Sequence, residues 1–240
     1  HRLPDGTVQK VPLHYAGDRH MITIAPSRMG KGVSTVMPNL LTYEGSVLVI
    51  DPKGENAMMT AARRGKGDAA LGIVGMGQDV HILDPWGIVG EAVSCFNPLD
   101  WLNPKDDDIN ENAMILWDSI VVARSGSSEP FWDDEARALG MGLTLHVATA
   151  ESEQGNRTLG RVRDMIVMGA SDFDQILNEM LASENPVVRS TAQRTASKDE
   201  KLRVNVLASL QAHTHFLDSP RIRESLSRSD FKFEDLKTKK

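Results

Sequence analysis

Met21-Ile22-Thr23-Ile24-Ala25-Pro26-Ser27-Arg28-Met29-Gly30-Lys31-Gly32 is the stretch on which the reading of this chain turns. A short apolar run, strand-like in composition, ends at a turn signal. Gly30-Lys31 then opens a segment of helical character that extends to Tyr43. A phosphate-binding loop has Gly, four residues, Gly-Lys and then Ser or Thr, set between a strand and a helix. Gly30 and Lys31 match that order and spacing. The chemistry needs backbone N–H groups converging on the phosphates and a helix N-terminus aimed at them. Lys31 would bring a mobile positive charge to the β and γ phosphates, and Gly30 would let the backbone approach without a Cβ. The loop thus nominates Ala25, Pro26, Ser27, Arg28, Met29, Gly30, Lys31, Gly32 and Val33 as nucleotide-binding residues. ATP and Mg²⁺ are the expected cofactors. Two positions depart from the pattern. Ala25 stands where the first Gly belongs. Gly32 replaces the Ser or Thr that holds Mg²⁺, which must then be bound through waters, Ser34 or Thr35, or a later carboxylate. Read structurally, the same residues are a Gly-Lys turn before a helix. Arg28 would touch a phosphate, face a neighbouring subunit or be solvated.

Working outward, Ser46 to Ile50 (SVLVI) is β-branched and apolar, bounded by Gly45 and by Asp51-Pro52. Val80 to Leu83 (VHIL) is a third such run and ends at Asp84-Pro85. Continuous apolar runs of this length suit strands buried on both faces of a parallel sheet. Gly32–Tyr43 and Glu55–Arg64 lie between them as helices. The order is βαβαβ, which predicts an α/β fold with right-handed crossovers. Ligands of such sheets gather at the carboxyl ends of the strands, so Asp51-Pro52-Lys53-Gly54-Glu55 is the second candidate site. Asp51 would accept a hydrogen bond from a metal-bound water or orient Lys53. Alternatively, Asp51 or Glu55 would cap the following helix.

After Asn103 helical periodicity takes over. Helices are expected at 110–124, 131–150, 159–168, 172–182, 186–197, 201–217 and 221–228. Ser171, Asn185 and Ser219 are read as caps, with Pro186 at a first helical position. Gly126 with Ser127-Ser128, and Gln154-Gly155-Asn156, mark loops. Phe231-Lys232-Phe233 alternates as the start of a returning strand would. The expected domains are 1–103, an α/β nucleotide-binding part; 104–229, an all-helical part; and 230–240, a return to the first.

Composition narrows the function. The 240 residues are 40% hydrophobic with a formal charge of −6, so neither disorder nor strong autonomous duplex binding is the first reading. Acidic residues concentrate between Asp106 and Glu135, and basic ones between Arg189 and Arg203. Such runs mostly form solvated helix faces. Cys95 is the single cysteine, which excludes an internal disulfide and a cysteine-rich zinc site. No run of roughly eighteen apolar residues spans a bilayer. The chain opens at His1 without Met and is expected to be cut from something longer. Trp132 with Asp133, Asp134 and Glu135 opens a helix whose dipole the acids complement. His213 and His215 diverge on a helix, so a metal pair is not expected. The scattered Met residues are read as core filler.

Taken in order, APSRMGKG, SVLVIDPKGEN, HILDPWG, FNPLDWL and PFWDDEARAL resemble the coupling proteins of type IV secretion and bacterial conjugation, motor ATPases related to DNA translocases. The resemblance covers nearly the whole chain. It implies a RecA-like P-loop ATPase core with an inserted all-helical domain. It further implies a membrane-anchored homo-hexamer at the cytoplasmic face of the bacterial inner membrane. Such proteins couple ATP hydrolysis to transfer of relaxase–DNA complexes or effector proteins, together with other secretion components. Carried over by residue, Gly30 and Lys31 resemble the phosphate-gripping pair, and Gly32 matches the family's own loop. Asp51, Lys53 and Glu55 match its second-strand motif near the nucleotide. Lys31 and Asp51 are then the catalytic candidates. The family's later apolar strand ending in Asp-Glu, and its membrane helices, are not among these residues.

Two functions compete: an ATP-driven translocation motor, and a helical module, from about residue 111 to 228, that recruits protein substrates. A metabolic P-loop kinase is the third; it needs an acceptor site and a lid, and no motif supplies either.

Overall fold

The structure is a computed structural model that describes residues 15, 17–90, 93–122 and 130–238. The chain divides into two units, residues 1–43 and 44–240. In the first unit, a turn over residues 27–30 leads through Lys31 into a π-helical stretch, Gly32–Val36, continued by α1 (Met37–Thr42). The widened turn has a local cause. Pro38 brings no N–H to the α ladder, and the N–H of Met37 reaches back five residues to the carbonyl of Gly32.

The second unit begins with α2 (Glu55–Arg64). Its last carbonyls find partners in the chain that returns beside them. Met76, Gly77 and Gln78 donate backbone N–H groups to Arg63, Gly65 and Arg64 at 2.8, 2.9 and 3.0 Å. Between these lies a small antiparallel hairpin, β1 (Gly67–Asp68) and β2 (Ile73–Val74), with Gly67 opposite Val74. Buried Arg64 donates to the carbonyl of Gly45 at 2.7 Å and ties the 44–50 segment to α2.

The expected parallel strands are not formed. None of Met21–Ala25, Ser46–Ile50 and Val80–Leu83 is a strand among the described residues, and the only ladder there is β1–β2. Their apolar side chains are largely exposed, Leu48 at 71% and Ile50 at 87%. A parallel strand takes its hydrogen bonds from neighbours distant in sequence, and its apolar faces need covering helices. Apolar composition alone supplies neither. The described chain is instead mostly helical.

A 3₁₀ turn (Pro98–Trp101) leads into α3 (Ile109–Ile120), α4 (Pro130–Thr149), α5 (Leu159–Val167), α6 (Ala170–Leu181), α7 (Pro186–Ala196), α8 (Glu200–Thr214) and α9 (Pro220–Ser225). These match the helices read from periodicity to within a few residues. The exceptions sit at C-termini: α8 gives way to a 3₁₀ turn (His215–Asp218), and α3 ends at Ile120. Caps explain several starts. Asn185 accepts from the N–H groups of Val187 and Val188, as expected. Thr158 and Asp199 cap α5 and α8 in the same way. Ser171 does not cap α6, which begins one residue earlier after Gly169, and Ser219 precedes α9 without a side-chain cap bond. Gly155, at φ 93°, turns the chain where the Gln154-Gly155-Asn156 loop was read. The Gly126-Ser127-Ser128 loop lies outside the described residues.

α4 is the axis of this module, in contact with α3, α5, α7 and α8. From Leu139 to Ala148 it is buried at nearly every position, as a helix surrounded by others must be. Trp117 of α3 is fully buried and donates through Nε1 to Thr144 Oγ1 at 2.8 Å. A Cβ at Gly140 would overlap the Trp117 ring, so that glycine is what allows the two helices to approach. Leu143, Met165, Leu177, Met180, Leu210 and Leu217 complete the core. The methionines divide: Met165 and Met180 are core, whereas Met29, Met58, Met59 and Met114 are exposed. Phe231-Lys232-Phe233 does return, but not as a strand. Phe96 meets Phe231 and Phe233 at ring-centroid distances of 5.5 and 4.8 Å, and Asp230 N–H donates to the Cys95 carbonyl at 3.0 Å. A short helix, α10 (Asp235–Thr238), follows.

Candidate functional site

The loop from Ala25 to Val33 is closed by its own lysine. The Lys31 ammonium folds back to donate to the carbonyls of Ala25 and, at 3.0 Å, Pro26. An ammonium has three donors, so one is left over. Arg28 and Gly30 take positive φ, 64° and 79°, and carry the chain around the bend. Arg28 is the only non-glycine residue in that region among the described residues, and its side chain is exposed. Ser34 donates both N–H and hydroxyl to the Gly30 carbonyl, at 2.9 and 2.7 Å, which fixes the junction of loop and helix. The hydroxyl named as an alternative magnesium ligand is therefore engaged with the backbone. The first N–H groups of the helix have no acceptor within it, the usual condition of a helix N-terminus. Pro26, Ser27, Met29, Gly32 and Val33 are exposed; Ala25, Gly30 and Lys31 are half-buried. A Cβ on Gly32 would meet nothing within 4 Å, so packing does not exclude a Ser or Thr side chain there.

In the second unit, Asp51, Lys53 and Glu55 come together in one turn. Gly54 N–H donates to the Asp51 carbonyl at 3.0 Å, and Gly54 takes φ 70°. Asp at the first position, Pro at the second and Gly at the fourth is the signature of a type I turn. Gly54, the N-cap of α2, has no side chain to offer, and Asp51 supplies one from three residues upstream. Its Oδ2 accepts from Ala57 N–H at 3.0 Å and its Oδ1 from Asn56 Nδ2 at 3.2 Å. Of the three uses open to Asp51 in the sequence, helix capping is the one these contacts display. Lys53 and Glu55 lie 3.9 Å apart as an exposed pair.

The same turn occurs twice. Asp84-Pro85-Trp86-Gly87 repeats Asp51-Pro52-Lys53-Gly54 with one substitution, and Gly87 also takes φ 70°. Gly87 N–H donates to the Asp84 carbonyl at 3.2 Å, and Val89 N–H to the Asp84 carboxylate at 2.8 Å. That N–H, with those of Ile88, Gly87 and Trp86, holds the Asp84 carboxyl below its ordinary pKa against the opposing effect of burial. The side chains of Ile88 and Val89 rest on Gly54. Sequence reasoning placed Gly54 within the second candidate site and Asp84 at the end of the third apolar run without giving either a role, and it passed over Val89. The repeated Asp-Pro-x-Gly was the signal that would have found them.

In the helical module the acidic start of α4 serves structure. Asp133 meets His213 Nε2 at 2.9 Å and Asp134 meets Arg137 at 2.7 Å. Buried Glu135 is bonded by Arg194 and, at 3.0 Å, by Lys198. Burial pushes its carboxyl up, but those two hydrogen bonds outweigh it and leave the pKa low. His215 turns instead to the Ala212 carbonyl at 2.9 Å. Among the described residues no group of His, Cys, Asp and Glu is arranged to hold a metal ion, and no helix is long and apolar enough to cross a membrane.

Comparison with known proteins agrees with the order of motifs. Residues 5–240 match the family described as type IV secretory system conjugative DNA transfer. The conjugal transfer protein TraG of Escherichia coli is 28% identical over 231 residues, 93% of this chain and 35% of that protein. Protein VirD4 of Agrobacterium fabrum is 28% identical over 225 residues, 92% of this chain and 31% of its own length. The type IV secretion system-coupling protein VirD4 of Bartonella henselae is 30% identical over 159 residues, 62% of this chain and 23% of its own. The chain thus spans about a third or less of these relatives. With the match extending over nearly its full length, this chain belongs to the type IV coupling protein family of conjugative DNA transfer.

Proposed function

We propose that this chain carries the nucleotide-gripping loop and the helical module of an ATP-driven coupling protein, which recruits and moves DNA–protein or protein substrates. One observation carries the reading. The Lys31 ammonium is already gathered into the loop at the head of a helix, on the carbonyls of Ala25 and Pro26. Neutral carbonyls are weaker partners for an ammonium than a phosphate oxygen, so an arriving triphosphate would compete for it with little rearrangement. The backbone from Ala25 to Val33 would bind the phosphates. Asp51, Lys53 and Glu55 are proposed as nucleotide-binding residues in their own right. ATP, with Mg²⁺ offsetting its charge, would supply the phosphoryl transfer that drives movement. The fold supporting it would be a RecA-like core with the helical module inserted. The whole protein would work as a membrane-anchored hexamer at the cytoplasmic face of the inner membrane, in contact with DNA and other secretion components.

Calorimetric titration of the chain with Mg·ATP and Mg·ADP tests this. Binding that weakens at least about tenfold in Lys31→Ala is expected. No binding by the unaltered chain, or equal binding by the variant, would overturn it.

A second reading has its own support. The helical module has a complete core, yet α3 presents exposed Met114 beside the buried Ala113 and Trp117 and exposed Ile115 opposite them. Such residues suit recruitment of a protein substrate, with nucleotide at most a regulator. Binding of a relaxase or effector protein to the Lys31→Ala chain, unchanged and without nucleotide, would favour this reading.

A further inference from the structure

The twin Asp-Pro-x-Gly turns are alike in sequence and backbone but not in surroundings. Gly87 has open space where a Cβ would be, and its neighbours Trp86 and Ile88 are exposed. Gly54 is buried, and a Cβ there would lie 2.9 Å from Val89 Cγ2 and 3.3 Å from Ile88 Cγ2. The second turn therefore sits as a lock on the first. The connection runs through four contacts. The buried Asp84 carboxylate holds Val89 N–H at 2.8 Å, which sets where the Val89 side chain goes. That side chain covers the Gly54 backbone. Gly54 N–H is bonded to the Asp51 carbonyl at 3.0 Å, and the Asp51 carboxylate holds Ala57 N–H at 3.0 Å.

We propose that Asp84 and Val89 are positioning residues for the Asp51–Glu55 turn, and that through Gly54 they set how tightly the chain holds nucleotide. This rests on the reading that places Asp51, Lys53 and Glu55 at the nucleotide. An exposed turn of Asp, Pro, Lys and Gly has several accessible backbone states. A β-branched side chain packed on its glycine removes most of them before a ligand arrives, so less ordering accompanies binding.

The experiment compares Asp84→Ala, Asp84→Asn and Val89→Ala in the full chain, with two readouts: hydrogen exchange at the Ala57 amide and affinity for Mg·ATP. Asp84→Ala removes the acceptor for Val89 N–H, whereas Asn keeps one oxygen in place. Faster exchange at Ala57 and about three- to tenfold weaker nucleotide binding are expected for Asp84→Ala and Val89→Ala, the loss of one hydrogen bond or of a small packed side chain. Asp84→Asn should restore most of both. Unchanged exchange of the α4 amides shows that each variant is folded. Wild-type exchange at Ala57 and wild-type affinity in Asp84→Ala would overturn the proposal, as would equal losses in the Asn and Ala variants. If the unaltered chain shows no Lys31-dependent nucleotide binding, the nucleotide reading falls and with it the consequence for affinity. Exchange at Ala57 then still decides whether one turn orders the other.

Discussion

Residues 44–89 and residues 98–226 have similar supplies of apolar side chains but dispose of them in opposite ways. In the later stretch Trp117 and Leu143 are 0% exposed, whereas in the earlier one Leu48 and Ile50 stand almost free in solvent. The difference lies in how each element satisfies its backbone. A helix makes its hydrogen bonds within a dozen consecutive residues, and seven helices joined by short loops bury their faces on each other from contiguous sequence. A parallel strand makes none locally. Its partners come from elsewhere in the chain, and its apolar faces need covering elements that composition alone does not supply.

Substitutions can break this contrast. The largest effect belongs to Trp117→Ala. It empties the contact between α3 and α4 and leaves Thr144 without its donor. A loss of about 3–5 kcal/mol is expected from chemical denaturation followed by far-ultraviolet circular dichroism. A loss under about 1 kcal/mol would mean that the module is not packed around α4.

Acid should sharpen the comparison next. His146 is buried in α4, with Nε2 lacking a hydrogen-bond partner and Glu179 3.8 Å away. Burial holds its pKa below the ordinary histidine value; Glu179 and Glu153 push upward, while Arg161 adds to the lowering. The unfolded chain therefore takes up a proton near pH 6.5 that the folded chain refuses. Stability should be complete above about pH 6.5 and decline as pH falls from there through the lower folded value. His146→Phe should flatten that part of the profile of unfolding free energy against pH. A second decline follows at lower pH. The hydrogen bond from Arg163 holds Asp218 below the ordinary carboxylate range, so this contribution exists above about pH 4 and disappears as pH falls through the depressed value. A profile of the same slope in His146→Phe would show that the first window has another origin.

The smallest effect is expected in the earlier stretch. Ile50→Ser should change stability by no more than about 0.5 kcal/mol in the same denaturation experiment, because the side chain packs on little. A loss comparable to a core substitution would show that the 46–50 run is buried in solution, contrary to the structure.

Much of the helical half was legible beforehand. Periodicity placed α3 to α9, Asn185-Pro186 marked a start that its side chain caps, and Glu55–Arg64 was read to the residue. Thr158 and Asp199 were missed as caps, although both are residue types that cap well. The expected strands are not formed among the described residues for a different reason. SVLVI has the composition of a strand buried on both sides, and composition does not reveal whether neighbours are there to bury it. At the candidate site, the bend at Gly30-Lys31 could be anticipated from the strand–loop–helix order. The lock of Val89 on Gly54 could not, because it joins residues thirty-five positions apart through a contact that neither motif implies by itself.

The sequence alone determined where chain direction changes and which segments are helical, since Gly, Pro, Asp and Asn act on their own backbone within a few bonds. It also carried the order of motifs that identifies the family. Tertiary structure decided which apolar residues are covered, which acceptor each buried charge faces, and which of two similar turns is held in place. Those outcomes depend on groups meeting across the chain, and local preference does not specify such meetings.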